Sequence, residues 1–498
     1  MSGHSKVLRG GLNLGLGQVV SQACSFVKSI IIARLISPEN FGIAALFATT
    51  YSLLEMISSL AADKLLIQAK DGDLPAFQKT AQLIQVTRGV TNAAVLFLLA
   101  GPLSRLFGAP QAQWAFRCMA LLPLSRGFMH LDMNRLQREM RFRPAVLVDV
   151  GSNVLVTLLA LPLALWFRNY SAMLWLLVLQ AVSSTVGSHL VAERSYGWAW
   201  DRKYAKRIFE FGWPLLINGL LMYGIFEGDR VIIGSVRRLF PTSTYTLTDL
   251  GVYSVAFSIS MAPTMFVANV GTSLFLPLLS RAKESCVEFE RRYLGCLNAT
   301  SLVAAMIAIP FIFAGGKVVT LVYGSKYAGA SAFIGWLAAM WAIRIIRVAP
   351  TVATMAQGDT KAPMASNIVR SLALVGMVLA AATGRRLVWI SICGFLGELM
   401  ALEFLIFRLW RVHTLRMQLS FAPCAAFGLC MGLAALGSAT GIGDASLIAT
   451  VFGSLVLMAI GLAAMLLLVP QLRVDIRALL ATSMASFEPK RLKPEMQV

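Results

Sequence analysis

The chain has 498 residues, of which 57% are hydrophobic and 14% are charged, whereas about 25% charged is usual for a soluble domain. This composition excludes a water-soluble globule and predicts a protein of the lipid bilayer. The formal net charge of +20 does not indicate nucleic-acid binding, because the basic residues are spread between apolar runs and form no single patch. The cysteines include no C-x-x-C pair and the histidines no pair at metal spacing, so we expect no disulfide framework, no metal site and no cofactor.

Apolar stretches of about 20 residues, the length that a helix needs to cross the hydrocarbon core, recur along the whole chain. The sequence therefore predicts an all-α integral membrane protein with about 14 transmembrane helices, within a range of 12 to 14. The predicted spans are 11–36, 41–62, 80–100, 111–131, 145–167, 170–192, 211–236, 250–278, 294–314, 330–356, 364–383, 387–407, 420–439 and 446–469.

The distribution of positive charge predicts the orientation of these spans. Most of the Lys and Arg residues between spans fall in the segments that are cytoplasmic when the amino terminus is inside the cell. Because basic residues accumulate in cytoplasmic loops, we expect both termini to be cytoplasmic, with a basic tail at the carboxyl end.

An internal repeat divides the predicted spans into two halves. The segment FGIAAL at 41 matches LGVYSVA at 250, LSRLFGAPQAQWAF at 103 matches VTLVYGSKYAGASAF at 319, and LQREMRFRP at 136 matches AQGDTKAP at 356. We therefore expect two six-helix repeats of the same orientation and two additional helices. The predicted division is 1–200 for the amino-terminal lobe, 201–410 for the carboxyl-terminal lobe, and 411–498 for the additional helices and basic tail. Such halves typically enclose a substrate site near the membrane midplane.

Nine basic residues lie inside the predicted spans, where a charge is costly unless it faces water or a partner. Five of them lie deep in the spans and predict a water-filled, cationic cavity: Lys28, Arg88, Arg230, Arg344 and Arg347. The other four lie nearer the span ends, where reaching the headgroups and pairing with an acid both stay open: Arg34, Arg117, Arg126 and Arg370. Because the guanidinium fork suits phosphate oxygens, we expect the cavity to take a phosphate-bearing substrate.

Acidic residues within the spans indicate a second role. Glu227, Asp229 and Arg230 fall within one turn of the seventh span, in the stretch FEGDRVIIG, and Glu55 lies in the second span. Glu55, Glu227 and Asp229 are therefore candidates for binding a coupling ion or proton, while simple neutralisation of nearby arginines stays the alternative. Three further intramembrane acids receive no role from the pattern, namely Asp149, Glu398 and Glu403.

Several of these stretches resemble a known family. ARLISPENFGIAAL at 33, LIQ at 66, GDRVIIG at 228, LGVYSVA at 250, YGSKYAGA at 323 and AQGDTKAP at 356 are similar to the polysaccharide transporters, or oligosaccharide flippases, of the multidrug/oligosaccharidyl-lipid/polysaccharide exporter superfamily. Among single residues, Arg34 and Asp229 match the family pattern. The segment SVRRLFPTSTYTLTD, between Gly234 and Gly251, is longer than the family's usual external turn.

The resemblance implies a multi-pass protein of the bacterial inner membrane that is a transporter and not an enzyme. The implied function is to flip an undecaprenyl-diphosphate-linked oligosaccharide from the cytoplasmic to the outer leaflet for cell-surface polysaccharide synthesis, such as lipopolysaccharide or exopolysaccharide. The implied mechanism is alternating access driven by an ion gradient. The implied partners are the lipid-linked oligosaccharide and membrane lipids, together with a polysaccharide polymerase and glycosyltransferases.

Other functions stay open on the sequence. A peptidoglycan-precursor flippase or a drug exporter of the same superfamily would share the fold, although the cationic excess argues against cationic drugs. A membrane-embedded glycan polymerase or ligase is an alternative from another class. Such enzymes need a sizeable external loop to house the reaction, and the loops between these spans are short.

Overall fold

The computed structural model describes residues 3–441 and 446–474, with side chains from residue 15 onward, and no strand occurs in these ranges. The predicted basic tail beyond residue 474 lies outside the described residues, as do residues 1–2 and 442–445. The helices in chain order are α1 Gly3–Leu35, α2 Pro38–Ser58, α3 Ala62–Gln68, α4 Pro75–Leu106, α5 Gln113–Cys118, α6 Leu121–Gly127, α7 Asp132–Arg138, α8 Arg143–Phe167, α9 Ser171–Leu190, α10 Arg202–Leu239, α11 Leu247–Ser280, α12 Cys286–Tyr323, α13 Ile334–Ile346, α14 Val348–Ala356, α15 Lys361–Ala382, α16 Val388–His413, α17 Gln418–Ala439 and α18 Leu447–Leu468, with two 3₁₀ segments at Pro110–Ala112 and Ser325–Ala332.

Thirteen helical segments of the described chain are long and apolar enough to cross a membrane, with α13 and α14 forming one of them. They correspond to every predicted span except the fourth, at 111–131. The all-α membrane class is therefore confirmed. The count of fourteen and the cytoplasmic position of both termini stay predictions.

The fourth predicted span is interrupted because of a proline. Its helical residues form α5 and α6, which are separated at Met119–Ala120. Pro123 has no N–H and cannot donate to the carbonyl four residues earlier, at Met119. That carbonyl instead accepts from the backbone N–H of Leu122, at 2.9 Å, as in a 3₁₀ turn. The apolar pattern marks the region correctly, but the helix is broken within it.

The same effect divides the tenth span and positions a charged residue. Pro350 cannot donate to the carbonyl of Ile346, and α13 ends at that residue. Arg347 occupies the junction, with helical backbone angles and a hydrogen bond from its N–H to the Ile343 carbonyl at 2.9 Å. Among the thirteen segments, the α13–α14 pair is the most buried. The guanidinium of Arg347 is therefore held inside the protein at a helix break.

Two helices related by the sequence repeat, α2 and α11, meet at equivalent glycines. Gly42 lies in FGIAAL and Gly251 in the matching LGVYSVA. A Cβ on Gly42 would overlap the carbonyl oxygen of Leu247, and a Cβ on Gly251 would overlap that of Pro38. Only glycine lets two backbones approach this closely. The sequence repeat therefore coincides with a reciprocal backbone contact.

A second pair of equivalent glycines ends a long helix in each half. Gly108 follows α4 and Gly324 follows α12, at matching positions of the segments that begin at 103 and 319. Both have positive φ, +66° and +103°, a conformation that glycine adopts without strain. The two halves thus end corresponding helices in the same way.

The described chain forms two compact units. The first comprises the described residues up to Ser258 together with Val319–Ala330 and Ser371–Cys393. In it α1 packs against α8, α8 against α9, and α2 against α10. Near the ends of α4 and α10, the rings of Phe77 and Tyr204 stack at 4.7 Å between centroids. These contacts position α1, α2, α4 and α10, the helices that carry the candidate site residues of this unit.

The second unit comprises Ile259–Val318, Ser331–Arg370 and the described residues from Gly394 onward. Its core is rich in alanine and aliphatic side chains from α12, α13, α14, α16, α17 and α18. Small side chains let these helices pack closely where lipid offers no hydrophobic drive. The lobe boundaries at 200 and 410 stay predictions that rest on the sequence repeat.

Candidate functional site

Three arginines of the second unit share one buried carboxylate. Glu398, on α16, is completely buried. Its Oε1 lies 3.1 Å from Nη1 of Arg344 and 2.7 Å from Nε of Arg370, and its Oε2 lies 3.3 Å from Nε of Arg347. The side chains of Arg347 and Arg370 are each 7% exposed and that of Arg344 is 16% exposed. We call these four residues the Glu398 cluster.

The chain brings the Glu398 cluster together through four helices. Arg344 and Arg347 are three residues apart at the α13–α14 junction, so they project from the same side of the helix pair. Arg347 also lies 3.4 Å from Ser366 Oγ and 3.4 Å from Asn367 Oδ1, both on α15. The guanidinium of Arg344 lies 5.6 Å from the Trp341 ring centroid. At neutral pH the four clustered side chains together carry a charge of about +2, since arginine stays protonated in proteins.

The first unit contains a cluster with the opposite balance of charge. On α10, Oε2 of Glu227 lies 3.2 Å from Nη1 of Arg230, and Asp229 Oδ1 accepts the Arg230 backbone N–H at 2.8 Å. Glu227 also accepts from Thr49 on α2 at 2.9 Å, and Asp229 accepts from the hydroxyl of Tyr253 on α11 at 2.7 Å. We call Glu227, Asp229 and Arg230 the Asp229 cluster. When both acids are ionised, its three side chains carry about −1.

The remaining predicted site residues of the first unit make separate contacts. Arg88 on α4 pairs with Glu55 on α2, with Nη1 and Oε2 3.3 Å apart. Tyr51 donates its hydroxyl to the same carboxylate at 2.9 Å. Lys28, which is buried on α1, donates to the side-chain oxygen of Gln180 on α9 at 3.2 Å. The structure thus gives Arg88 an acidic partner and Lys28 a neutral one.

The four arginines near the span ends have different environments. Arg370 is buried and belongs to the Glu398 cluster, so pairing describes it and headgroup contact does not. Arg34, in the last turn of α1, donates from Nε to the Val322 carbonyl at 2.7 Å. The guanidinium groups of Arg117 and Arg126 lie over the rings of Phe97 and Tyr51, each 5.7 Å from the centroid.

The sequence did not predict that Glu398 pairs with the three arginines. The apolar pattern identified Glu398 as an intramembrane acid, and the spacing of Arg344 and Arg347 placed them on one helix face. No local signal, however, relates residue 398 to residue 344 or residue 370. The available hint was that three apolar spans with three arginines contain only two acids, Glu398 and Glu403, because buried charges generally occur in pairs.

An ionic network outside the candidate spans fixes one end of the first unit. Asp132 is fully buried, and Nε of Arg135 lies 2.7 Å from its Oδ1. Burial alone would raise the pKa of Asp132, but hydrogen bonds from Arg135 and from the backbone N–H groups of Glu193 and Arg194 lower it to about 2. Hydrogen bonds from Arg141 and Arg135 likewise hold the pKa of Glu193 below its usual range. All of these carboxylates therefore stay ionised at neutral pH.

The second unit has a simpler ion pair beside the turn between α14 and α15. Asp359, in the turn between α14 and α15, accepts from Nε and Nη2 of Arg408 at 2.6 Å and 3.1 Å. This bidentate contact is the main reason that the pKa of Asp359 lies below its usual value. His413 Nε2 lies 3.5 Å from the same carboxylate. An arginine therefore anchors the Asp359 carboxylate, as Arg135 anchors that of Asp132 in the first unit.

Comparisons with known proteins agree with this architecture. Residues 31–332 match the profile of a family described as polysaccharide biosynthesis protein. The succinoglycan biosynthesis transport protein ExoT of Rhizobium meliloti (strain 1021) is 25% identical over 319 residues, which are 63% of this chain and 62% of that protein. The match thus spans less than two thirds of the relative's length.

Two solved structures resemble the fold at low sequence identity. The lipid II flippase MurJ, in an inward closed conformation, gives a TM-score of 0.63 at 14% identity and covers 93% of this chain and 98% of that one. An inward-facing multidrug resistance MATE family transporter of the MOP superfamily gives a TM-score of 0.62 at 14% identity, with coverage of 81% and 99%. These matches are to transporters and flippases, not to enzymes. The chain therefore belongs to the family described as polysaccharide biosynthesis protein, as a multi-pass membrane protein whose fold resembles those of a lipid II flippase and a MATE family transporter.

Proposed function

We propose that this protein flips an undecaprenyl-diphosphate-linked oligosaccharide from the cytoplasmic to the outer leaflet of a bacterial inner membrane, by alternating access, for cell-surface polysaccharide synthesis. The observation that carries the proposal is the Glu398 cluster, in which three buried or half-buried guanidinium groups share a single carboxylate. A polysaccharide polymerase and glycosyltransferases are the proposed functional partners.

The charge of the Glu398 cluster suits a diphosphate. Burying charge is costly unless an opposite charge with good hydrogen-bond geometry offsets it. Within the cluster the three guanidinium groups outnumber the one carboxylate, and an anion with phosphate oxygens would reduce that imbalance. Arginine binds such oxygens in a bidentate manner, and its attraction is stronger where water is excluded. We therefore assign the diphosphate to Arg344, the most exposed of the three, with Glu398 orienting its guanidinium.

The other predicted cations extend this assignment. Lys28, Arg88, Arg230 and Arg347 are proposed to contact the diphosphate or acidic sugars at some stage of transport. Arg230 and Arg88 already have carboxylate partners, so an anion would have to compete with Glu227 and Glu55 for them. Lys28, whose described contact is with the neutral Gln180, would bind an anion with less competition.

The Asp229 cluster is the proposed site of ion coupling. Its two carboxylates share one arginine and accept hydrogen bonds from Thr49 and Tyr253. A proton or a sodium ion would offset the additional negative charge. Glu55, paired with Arg88, is the further candidate. Binding of a cation here would weaken the hold of Glu227 on Arg230, which links ion binding to the positions of side chains on α10.

Reconstitution into liposomes tests the proposal. A fluorescent polyprenyl-diphosphate oligosaccharide is incorporated, and its arrival in the outer leaflet is followed with a membrane-impermeant lectin, under a proton gradient, a sodium gradient or none. Arg344→Gln should lower the initial rate at least about tenfold, as expected for a lost charge-assisted contact. Arg291→Gln, on an exposed arginine of the same unit, is the matched control and should transport like the wild type.

The assay also separates the alternatives. A lipid-linked peptidoglycan precursor, offered as a second substrate, shares the diphosphate carrier but differs in the sugar. Faster movement of that lipid would reassign the protein to the peptidoglycan pathway. If no lipid diphosphate moves under any gradient, the proposal fails, and drug export becomes the function to test.

A further inference from the structure

A polar pocket opens in the first unit where two helices begin and two end. It has a volume of about 570 Å³ and is lined by the start of α2, the residues after α4, the end of α10 and the start of α11. According to the positive-inside distribution, these helix ends face the outside of the cell. Most of its polar lining comes from residues 235–249, which form the end of α10, the following turn and the start of α11, and which the sequence resemblance predicts to be an extended external segment. None of its lining residues belongs to the Glu398 cluster or the Asp229 cluster.

The pocket presents cationic groups that make no internal ion pair. Arg237 and Arg238 are exposed at the end of α10, and no side-chain hydrogen bond or ion pair joins either to another residue of the described chain. Glu39, at the start of α2, also lines the pocket and likewise makes no such bond within the described ranges. The guanidinium groups are therefore available for an external anion, and the carboxylate for an external donor.

One tyrosine that lines the pocket also has a buried hydroxyl without a partner among the described residues. Tyr245 lines the pocket and is 3% exposed, yet its hydroxyl makes no hydrogen bond to any described residue. A buried hydroxyl without a partner is costly, so this group is expected to bind something that the protein does not supply. Thr248 adds an exposed hydroxyl, while Thr246 is held by Asp249, with its Oγ1 donating at 2.7 Å.

We propose that this pocket binds a carboxylate-bearing sugar of the glycan at the external face, which makes an acidic glycan the substrate class. The inference rests on the proposed flippase function. Two arginines suit a carboxylate, and the Tyr245 and Thr248 hydroxyls and the Glu39 carboxylate suit sugar hydroxyls, which both donate and accept hydrogen bonds. The volume is typical of pockets for small organic ligands, which are roughly 300 to 1,000 Å³.

The same features disfavour a simple phosphate site. A phosphate ion would fill only a small part of the volume, and Glu39 would repel it. A sugar acid gains from all of these groups at once, because its carboxylate contacts the arginines while its hydroxyls reach Glu39. The combination of two bases, one acid and hydroxyl groups therefore selects a saccharide that carries a single negative group.

A binding measurement on the full-length protein in lipid nanodiscs tests the site without any transport. The probes are a tetrasaccharide that ends in glucuronic acid, the same tetrasaccharide with its carboxyl group reduced to an alcohol, and inorganic phosphate. Calorimetric titration should show the acidic probe binding about tenfold more tightly than the reduced one. Arg237→Gln/Arg238→Gln should remove that difference, and Tyr245→Phe should weaken both sugars.

Arg385→Gln/Arg386→Gln is the matched control. These neighbouring arginines are exposed, lie in the same unit and on the side predicted to be external, and do not line the pocket. The control removes the same charge and should bind the acidic probe like the wild type. An equal loss in the control, equal binding of the reduced probe, or displacement by phosphate at similar concentrations would overturn the proposal. A thermal unfolding curve for each variant verifies that it is folded.

The outcome is distinguishable from that of the flipping assay, because the probes have no lipid carrier and no gradient is applied. Specific binding without lipid translocation would keep the sugar site and overturn only its role in transport. Translocation without binding of the acidic probe would overturn the sugar site and leave the flippase function intact.

Discussion

The Glu398 cluster and the Asp229 cluster both bury charged side chains, but with opposite ratios of arginine to acid. In the second unit three arginines surround one acid, and in the first unit two acids share one arginine. In both, a partner removes part of the cost of a buried charge and leaves the cluster biased to one sign. We infer that each bias fits a solute. The Glu398 cluster is suited to an anion, and the Asp229 cluster is suited to a cation.

The clusters also differ in what would happen if the acid that names each of them were removed. Glu398 is common to all three contacts of its cluster, so its loss would leave three guanidinium groups to repel one another. Asp229, in contrast, is held by a tyrosine hydroxyl and a backbone N–H, and Arg230 would keep Glu227 as its partner. The four predictions below use this difference, beginning with the largest expected effect.

Glu398→Gln should give the largest loss of stability. The substitution keeps the shape of the side chain and removes the charge that three arginines share, and breaking a buried ion pair in this way typically costs about 3 to 5 kcal/mol. The free energy of unfolding in detergent measures the effect. Glu403→Gln, on an exposed acid of the same helix, is the control and should change stability by less than about 0.5 kcal/mol. Equal stability of the two variants would contradict the central role of Glu398.

Arg347→Gln and Arg344→Gln should separate structure from transport within the same cluster. Arg347 is the more buried, at 7% against 16% exposure, and also contacts Ser366 and Asn367. Its substitution should cost about 1.5 to 3 kcal/mol, the range for hydrogen bonds to charged groups. Arg344→Gln should lower stability less than Arg347→Gln does, and it should lower the flipping rate more. Measuring unfolding and flipping for both variants distinguishes the two roles. A larger loss of flipping in Arg347→Gln than in Arg344→Gln would assign the substrate contact to Arg347.

Asp229→Asn should uncouple transport from the ion gradient while leaving the fold intact. Asparagine retains an oxygen that accepts from Tyr253 and from the Arg230 N–H, but it cannot be protonated or neutralise a bound cation. The ratio of flipping rates with and without a gradient should fall to about one, because the carboxylate that remains, Glu227, is offset by Arg230. Glu227→Gln provides the comparison, and a normal ratio in both variants would move the coupling site to Glu55.

Tyr253→Phe should have the smallest effect. It removes one hydroxyl that donates to a buried carboxylate, which typically costs about 1 to 2 kcal/mol. Tyr170→Phe is the control, because that hydroxyl accepts from Trp114 and donates to the Gln111 carbonyl in an exposed position. Unfolding curves should rank Tyr253→Phe below Tyr170→Phe in stability. The opposite ranking would show that Asp229 does not depend on this hydrogen bond.

The sequence predicted the membrane helices well because their signal is local. Thirteen of the expected spans correspond to long helices, since apolar composition over about 20 residues is enough to identify each. The fourth span shows the limit of that signal. Hydropathy does not register that Pro123 withholds an N–H from Met119, and so it predicts one helix where the chain forms α5 and α6.

The candidate site was predictable only in part because its contacts are distant in sequence. Membrane depth identified Arg344 and Arg347, and their spacing placed them on one helix face. Glu398 is more than fifty residues away from both, and no pattern within a single helix relates it to them. Arg370 was misleading for the same reason: its position near a span end left headgroup contact as plausible as the buried pairing that the structure describes.

The glycine contact between α2 and α11 has the symmetry of an interface between identical subunits. Residue 42 meets the backbone near residue 251, and residue 251 meets the backbone near residue 42. Self-complementary contacts of this kind arise when two copies of one surface face each other across a two-fold axis. A half-length ancestor with a single such glycine could therefore have made this contact as a homodimer. A change of that one residue would then have altered both sides, whereas in the fused chain each side varies independently.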